Sequence, residues 1–230
     1  MPRGKVEFPY SSVRKKLLTW FRKNARSYPW RTTGNWFHLL MAEMMLRRTR
    51  ADQAARVYSR FTDRFETPAD CQTAGPTELL EIFKPLGLQW RARQLLETLD
   101  YLSDSYAKRT PQKSDDLLAI PGVGEYANSM LRNRLFNEQL PALDSNMARV
   151  ICRINGWKYS AESRRKKNVI AVAHQLVQTK SSRELNLAVL DFSALVCKPG
   201  KPDCPLCPLV RMCSLGGKTV RRPVGFHAST

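Results

Sequence analysis

Four cysteines close to the C-terminal end constrain this 230-residue chain more than any other feature. Cys197, Cys204, Cys207 and Cys213 are spaced C-x6-C-x2-C-x5-C. Pro199, Pro202, Pro205 and Pro208 lie between them and stiffen the loop. The N-terminus is basic (Met1-Pro2-Arg3-Gly4-Lys5) with no apolar stretch after it, so no signal peptide is expected and a cytoplasmic protein is. In a reducing compartment, grouped thiols read as a metal site rather than a disulfide scaffold. Zinc and iron–sulfur clusters both accept four thiolates, and the spacing alone leaves the two open. Cys71 and Cys152 fall outside the pattern and are expected to be ordinary buried thiols.

Such a loop must hang on a folded body, and the composition supplies one. Hydrophobic residues make up 43% and charged residues 25%, which excludes disorder as the main state. The longest apolar run, Phe37 to Leu46, carries Glu43 and is too short to span a bilayer, so no membrane is expected. Lys and Arg total 38 against 20 Asp and Glu, a net of +18. The sequence pI is about 10.1. A chain this basic meets a polyanion, and nucleic acid is the first candidate. Residues 1–50 alone hold twelve basic residues against Glu7 and Glu43.

The apolar periodicity is helical throughout, and no period-two run argues for a strand. Ser11 or Ser12 is expected to cap a helix whose apolar face is Val13, Leu17, Trp20 and Phe21. Residues 36–46 are apolar on nearly every side, which predicts a buried central helix. Val57, Phe61 and Phe65 mark another. Thr77 is expected to cap a short helix through Phe83. Ala92, Leu95, Leu96, Leu99 and Leu102 form a stripe, and Ser114 precedes a short helix through Ile120. Ser181 with Glu184 fits a capping box for a helix reaching Val196. The run Arg164-Arg165-Lys166-Lys167 reads as a solvated helix start, with nucleic-acid contact as the alternative. The fold class is therefore all-α.

Three features carry chemistry. The segment Leu117 to Ala127 reads helix, Pro-Gly-Val-Gly, helix. Gly122 and Gly124 allow positive φ and close approach of a phosphate to the backbone, and the amides at the start of the second helix favour an anion. Asp144 stands just before the apolar helical run Met147, Val150, Ile151 and reads as an N-cap. Glu43 is the one charge within the central helix; burial raises its pKa and makes it a proton carrier.

Hairpin, Asp144 and cysteine loop together resemble the helix-hairpin-helix DNA glycosylase superfamily over about residues 13–213. The cysteine spacing equals that family's [4Fe–4S] loop, which implies this cluster rather than zinc. Tyr28-Pro29-Trp30-Arg31 and the stretch Glu43 to Thr49 resemble the mismatch branch. Leu46-Arg47-Arg48-Thr49, Tyr126 and Asp191-Phe192-Ser193-Ala194 look closest to thymine and uracil mismatch glycosylases; adenine-removing members carry Leu-Gln-Gln-Thr and a serine at those places. The resemblance implies two helical lobes with the active site in a cleft between them: a six-helix barrel over 30–136, its hairpin at about 115–136, and a discontinuous cluster domain of 1–29 with 137–230.

It also implies roles. Asp144 stabilises positive charge developing on the sugar, as in other glycosidic cleavages. Glu43 protonates the leaving base, and Tyr126 stacks on it once it is flipped from the helix. Arg47, Arg48, Leu88 and Gln89 fill the vacated space; Gly122, Gly124, Lys198 and Lys201 hold phosphates. The endonuclease III branch has a Schiff-base lysine where Tyr126 stands, so this chain is expected to be monofunctional, with water as nucleophile. The expected partner is double-stranded DNA with thymine or uracil mispaired with guanine, bound by a monomer. Removal of adenine, or of a modified base in foreign DNA, is the alternative. Ser129 to Phe136 departs from the family's small and apolar pattern: Arg132 and Arg134 either face solvent or alter the pocket.

Overall fold

A computed structural model describes residues 8–87, 89–107, 109–112 and 117–220. They form α1 (Tyr10–Asn24), α2 (Trp36–Leu46), α3 (Ala51–Thr62), α4 (Pro68–Phe83), α5 (Gln89–Tyr106), α6 (Glu125–Leu135), α7 (Ser145–Asn155), α8 (Lys167–Val177), α9 (Ser182–Leu195) and α10 (Ser214–Val220), joined by short 3₁₀ turns. No strand occurs among the described residues, and no helix among them is long and apolar enough to cross a membrane. The chain divides into two compact units, residues 27–138 and residues 1–26 with 139–230.

In the 27–138 unit, α2 is the core. Trp36, Phe37, His38, Leu40, Met41, Ala42, Met44 and Met45 are all buried, as a helix apolar all round requires. Asn35 caps it, its Oδ1 accepting from the amides of Phe37 at 2.8 Å and His38 at 3.3 Å. Phe61 packs on Phe37, Phe65 and Phe83 with ring centroids 5.1–5.7 Å apart. The α5 stripe buries Leu95, Leu99 and Leu102. In the other unit, Val13 and Leu17 of α1 join the buried faces of α7, α8 and α9 in a second core.

Several helix starts differ from the sequence expectation. Helix α1 begins at Tyr10 after Pro9, so Ser11 and Ser12 sit exposed inside its first turn and cap nothing. Helix α4 starts ten residues before Thr77, at a capping box of Thr67 and Asp70. Its kink lies at Gly75, whose φ of 78° no β-carbon-bearing residue adopts cheaply, and Pro76 opens the second segment. Ser181 is the N-cap of α9, but its side chain makes no capping bond. Ser114 lies outside the described residues.

Candidate active site

Glu43 is carried on α2, one turn before its end. The residue as a whole is half-buried, yet its Oε2 is sealed from solvent with no hydrogen-bond partner among the described residues. Desolvation pushes its pKa from 4.5 up to about 7, against the pull of the Arg31 guanidinium. The carboxyl is therefore poised to hold or release a proton near neutral pH.

The end of α2 leads directly to the arginine pair. Arg47 is the C-cap, and its Nη1 donates to Gln94 Oε1 at 2.8 Å and to the Gly122 carbonyl at 3.1 Å. Its guanidinium thus braces the hairpin turn. Thr98 Oγ1 donates to the Pro121 carbonyl at 2.9 Å from α5. Arg48, next in sequence, is exposed and has φ 55°, a left-handed conformation that costs an L-residue about 1–2 kcal/mol. Strain of this kind on a charged, exposed residue is a mark of a functional position.

Gly122 has φ 83°, and a Cβ built there would lie 2.7 Å from Met44 Cε. Gly124 is different: at φ −95° and ψ 175° it is the extended N-cap of α6, not a positive-φ residue. One glycine suffices for the turn because Pro121 fixes its entry. The N-cap of α6 makes no side-chain capping bond. Tyr126 lies half-buried in the first turn of α6. Leu88 lies outside the described residues. Gln89 is the first residue of α5.

Arg132 and Arg134 are half-buried, and each has a hydrogen-bond partner within the fold. Arg132 forms a two-pronged ion pair with Glu138, Nε to Oε1 at 3.1 Å and Nη2 to Oε2 at 2.5 Å. Arg134 donates to the Thr33 carbonyl at 2.5 Å. Arg132 thus ties the end of α6 to the Glu138 side chain, and Arg134 ties it to the backbone at Thr33.

Asp144 lies in the other unit. It caps α7, Oδ1 accepting from the Met147 amide at 2.8 Å, while Oδ2 accepts from Asn146 Nδ2 at 2.5 Å. Its pKa is raised by burial, with these bonds and Arg149 opposing the rise. Sequence reasoning missed what continues from here. Arg149, 3% exposed, donates to Asn146 Oδ1 at 3.0 Å, to the Ser193 carbonyl at 3.1 Å and to the Cys197 carbonyl at 3.1 Å. Arg153, one turn on, donates to the carbonyls of Lys198 at 2.7 Å and Gly200 at 3.1 Å, and lies 3.4 Å from Cys197 Sγ. Asn146, Arg149 and Arg153 share the polar side of α7, a pattern that an ordinary solvated face would also show. Lys198 and Lys201 stand exposed on the loop that Arg153 holds.

The four loop cysteines form no disulfide; Cys197 and Cys204 are buried, Cys207 and Cys213 half-buried. Burial first, then the neighbouring Cys213, Cys197 and Cys204, push the Cys207 thiol up to about 12 against the Leu209 amide. The four thiols therefore feel one another. Even so, no three or more His, Cys, Asp or Glu among the described residues converge as ligands of a single metal ion. Two donors point at sulfur, Arg153 Nη1 on Cys197 and the Gly216 amide on Cys213, each at 3.4 Å.

These features belong to a known class of protein. Residues 41–179 match the HhH-GPD superfamily base excision DNA repair protein family. The chain belongs to that superfamily. A thymine/uracil-DNA glycosylase from Methanothermobacter thermautotrophicus is 32% identical over 86% of this chain and 90% of its own. A solved thermostable thymine-DNA glycosylase matches with a TM-score of 0.83 at 30% identity, covering 91% of this chain and 97% of that one. An adenine DNA glycosylase from Mycolicibacterium smegmatis is 28% identical over 94% of this chain and 75% of its own.

Proposed function

We propose that this chain is a monofunctional DNA glycosylase that removes thymine or uracil mispaired with guanine. The observation that carries the chemistry is Glu43, an acid poised near neutral pH on a helix otherwise given over to core packing. The base follows the relatives whose names specify thymine or uracil. The adenine-removing alternative is favoured by the adenine DNA glycosylases among the relatives, which are less similar, at 28% identity and below.

In the proposed reaction the flipped base leaves with a proton supplied by Glu43, which lowers the barrier to departure. Positive charge then grows on the sugar, and the Asp144 carboxylate opposes it. Both Asp144 oxygens already accept hydrogen bonds, so its part is that of a fixed negative charge. Tyr126 packs against the extruded base, and Arg48, Leu88 and Gln89 occupy the space left in the duplex. Arg47 acts one step back by bracing the hairpin that presents the first amides of α6 to a phosphate. A phenol at 126 forms no imine, so water adds to the sugar carbon as the bond to the base breaks, its proton returns to the Glu43 carboxylate, and the products are the free base and an intact abasic strand.

Cys197, Cys204, Cys207 and Cys213 hold a [4Fe–4S] cluster in this reading. The reading is supported by four thiols close enough to raise one another's pKa and by the two donors aimed at sulfur, as iron–sulfur sites use; the converging ligand geometry itself is not present among the described residues. The cluster supplies a structural clamp for the 197–213 loop. Purified protein is expected to be brown with about four irons per chain; stoichiometric zinc without iron in anaerobic preparations contradicts this.

A panel of duplexes, each with one mispair, tests the function. Alkali-labile sites are expected only where thymine or uracil opposes guanine, with little adduct on borohydride treatment. Cleavage of the adenine strand selects the alternative, and efficient trapping disproves the monofunctional mechanism. Asp144→Asn keeps the Met147 bond but turns an amide towards Asn146 and removes the charge. It is expected to lower single-turnover excision by about 10²-fold or more while leaving duplex binding in place.

A further inference from the structure

The excess positive charge is divided unevenly. Residues 1–26 with 139–230 hold 23 Lys or Arg against 6 Asp or Glu, a net of +17; residues 27–138 hold 15 against 14, a net of +1. The unit that carries Glu43 and the hairpin is nearly neutral. Lys198 and Lys201 account for only two of the cations in the other. The densest remaining group is residues 158–167, with Lys158, Arg164, Arg165, Lys166 and Lys167 all exposed against one acid, Glu162, paired to Arg165 at 2.7 Å.

Beyond the exposed Arg165–Glu162 pair, the helix start gives these cations no acidic partner. Lys166 and Lys167 are the N-cap and first residue of α8, whose first turn contains no acid. Cations at a helix N-terminus oppose the helix dipole. The run is nonetheless held in one shape. Ser160 and Ser163 form a reciprocal capping box around the Ala161–Arg165 turn, the Ser160 amide donating to Ser163 Oγ at 2.9 Å, and Ser163 is completely buried. The turn packs on α7 and α8. A preformed array of repelling cations, fixed at a local cost in stability, is suited to a ligand that neutralises them.

We propose that residues 158–167 form a second nucleic-acid surface that binds backbone phosphates of the duplex away from the excised nucleotide. This rests on the nucleic-acid reading above but not on which base is removed. Phosphates are the fitting occupant because the strip offers charge without an apolar face; Tyr159, 38% exposed, is its one large apolar side chain. A membrane surface or a protein partner needs apolar contact as well.

The test is the salt dependence of binding to an undamaged duplex of about 40 base pairs by fluorescence anisotropy. Each phosphate contact contributes about −0.9 to the slope of log K against log salt. The variant Arg164→Gln/Arg165→Gln/Lys166→Gln/Lys167→Gln is expected to make that slope shallower by about 2–4 and weaken binding at low salt by tenfold or more. The charge-preserving set Arg164→Lys/Arg165→Lys/Lys166→Arg/Lys167→Arg is expected to behave as the parent. Melting temperature monitors folding of both. A charge-matched control on α1, Lys15→Gln/Lys16→Gln/Arg22→Gln/Lys23→Gln, separates a local surface from general charge, since all four are exposed. An unchanged slope in the first variant overturns the proposal, as does an equal loss in the α1 control. Retained DNA binding with loss of binding to phosphatidylserine vesicles assigns the strip to a membrane instead. Excision at saturating enzyme is expected to be unchanged, so a failed base assignment and a failed surface are distinguishable.

Discussion

Glu43 and Arg48 each cost the fold something, and the costs predict how variants behave. Glu43 has a folded pKa of about 7 against 4.5 when unperturbed. The folded state therefore binds the extra proton between those values, and stability falls as pH rises from about 4.5 through 7. The full loss is up to about 3 kcal/mol, at 1.36 kcal/mol per unit. Glu43→Gln is expected to remove most of that pH dependence and to be more stable than the parent at pH 8, while excision is nearly abolished. Chemical denaturation at pH 5 and pH 8 measures the first, single-turnover kinetics the second. In the parent, excision is expected to decline above pH 7 as the proton is lost. At Arg48 the strain is in the backbone, φ 55°. Arg48→Gly is expected to leave stability unchanged or raise it by about 0.5–1 kcal/mol, because glycine adopts that conformation freely. It is expected to depress mispair processing more than binding to undamaged duplex; equal losses make Arg48 a plain phosphate contact.

Among the elements, the hairpin turn is the most tightly determined. Its conformation depends on Gly122, and its position on three side chains: Arg47 on the Gly122 carbonyl, Thr98 on the Pro121 carbonyl, and Met44 filling the place a Cβ would take. Gly122→Ala meets both positive φ and a 2.7 Å approach to Met44 Cε. Met44 is a flexible side chain and can yield, so most of the cost falls on the backbone. A loss of about 1–2 kcal/mol is expected, read as a lower melting temperature, together with weaker binding to every duplex whether mispaired or not. A weakening confined to mispaired duplex contradicts a phosphate-holding turn. Helix α7 does comparable work in the other unit, where Asn146, Arg149 and Arg153 join the Asp144 cap to the backbone of the cysteine loop. Any distortion of that loop is transmitted to the helix that Asp144 caps.

For the whole molecule, the partition of charge matters more than its total. With +17 on one unit and +1 on the other, nonspecific attraction to a duplex is expected to come mainly from the unit of residues 1–26 with 139–230. Affinity for undamaged duplex is expected to fall at least about 10²-fold between 50 and 200 mM salt, through counterion release. A flat response over that range contradicts phosphate-driven binding.

The sequence by itself determined what periodicity and spacing encode. Residues 36–46 read as a buried helix, and α2 spans those residues. Val13, Leu17, Phe61, Leu95, Leu99 and Leu102 were legible as core because each repeats at helical intervals. Asp144 was legible as a cap, and Glu43 as a charge the core would enclose. Helix starts were less so: many residues can cap, and tertiary context chose Pro9 over Ser11 and Thr67 over Thr77. What only the tertiary structure decided are contacts between residues far apart in the chain. Arg47 meets Gly122 across 75 positions, Arg134 meets Thr33 across 101, and Arg149 meets Cys197 across 48. An arginine has the same local signature whether it ends in water, on a phosphate or on a buried carbonyl. Its fate is set by which unpaired acceptors the folded backbone brings within reach, and no local pattern records that.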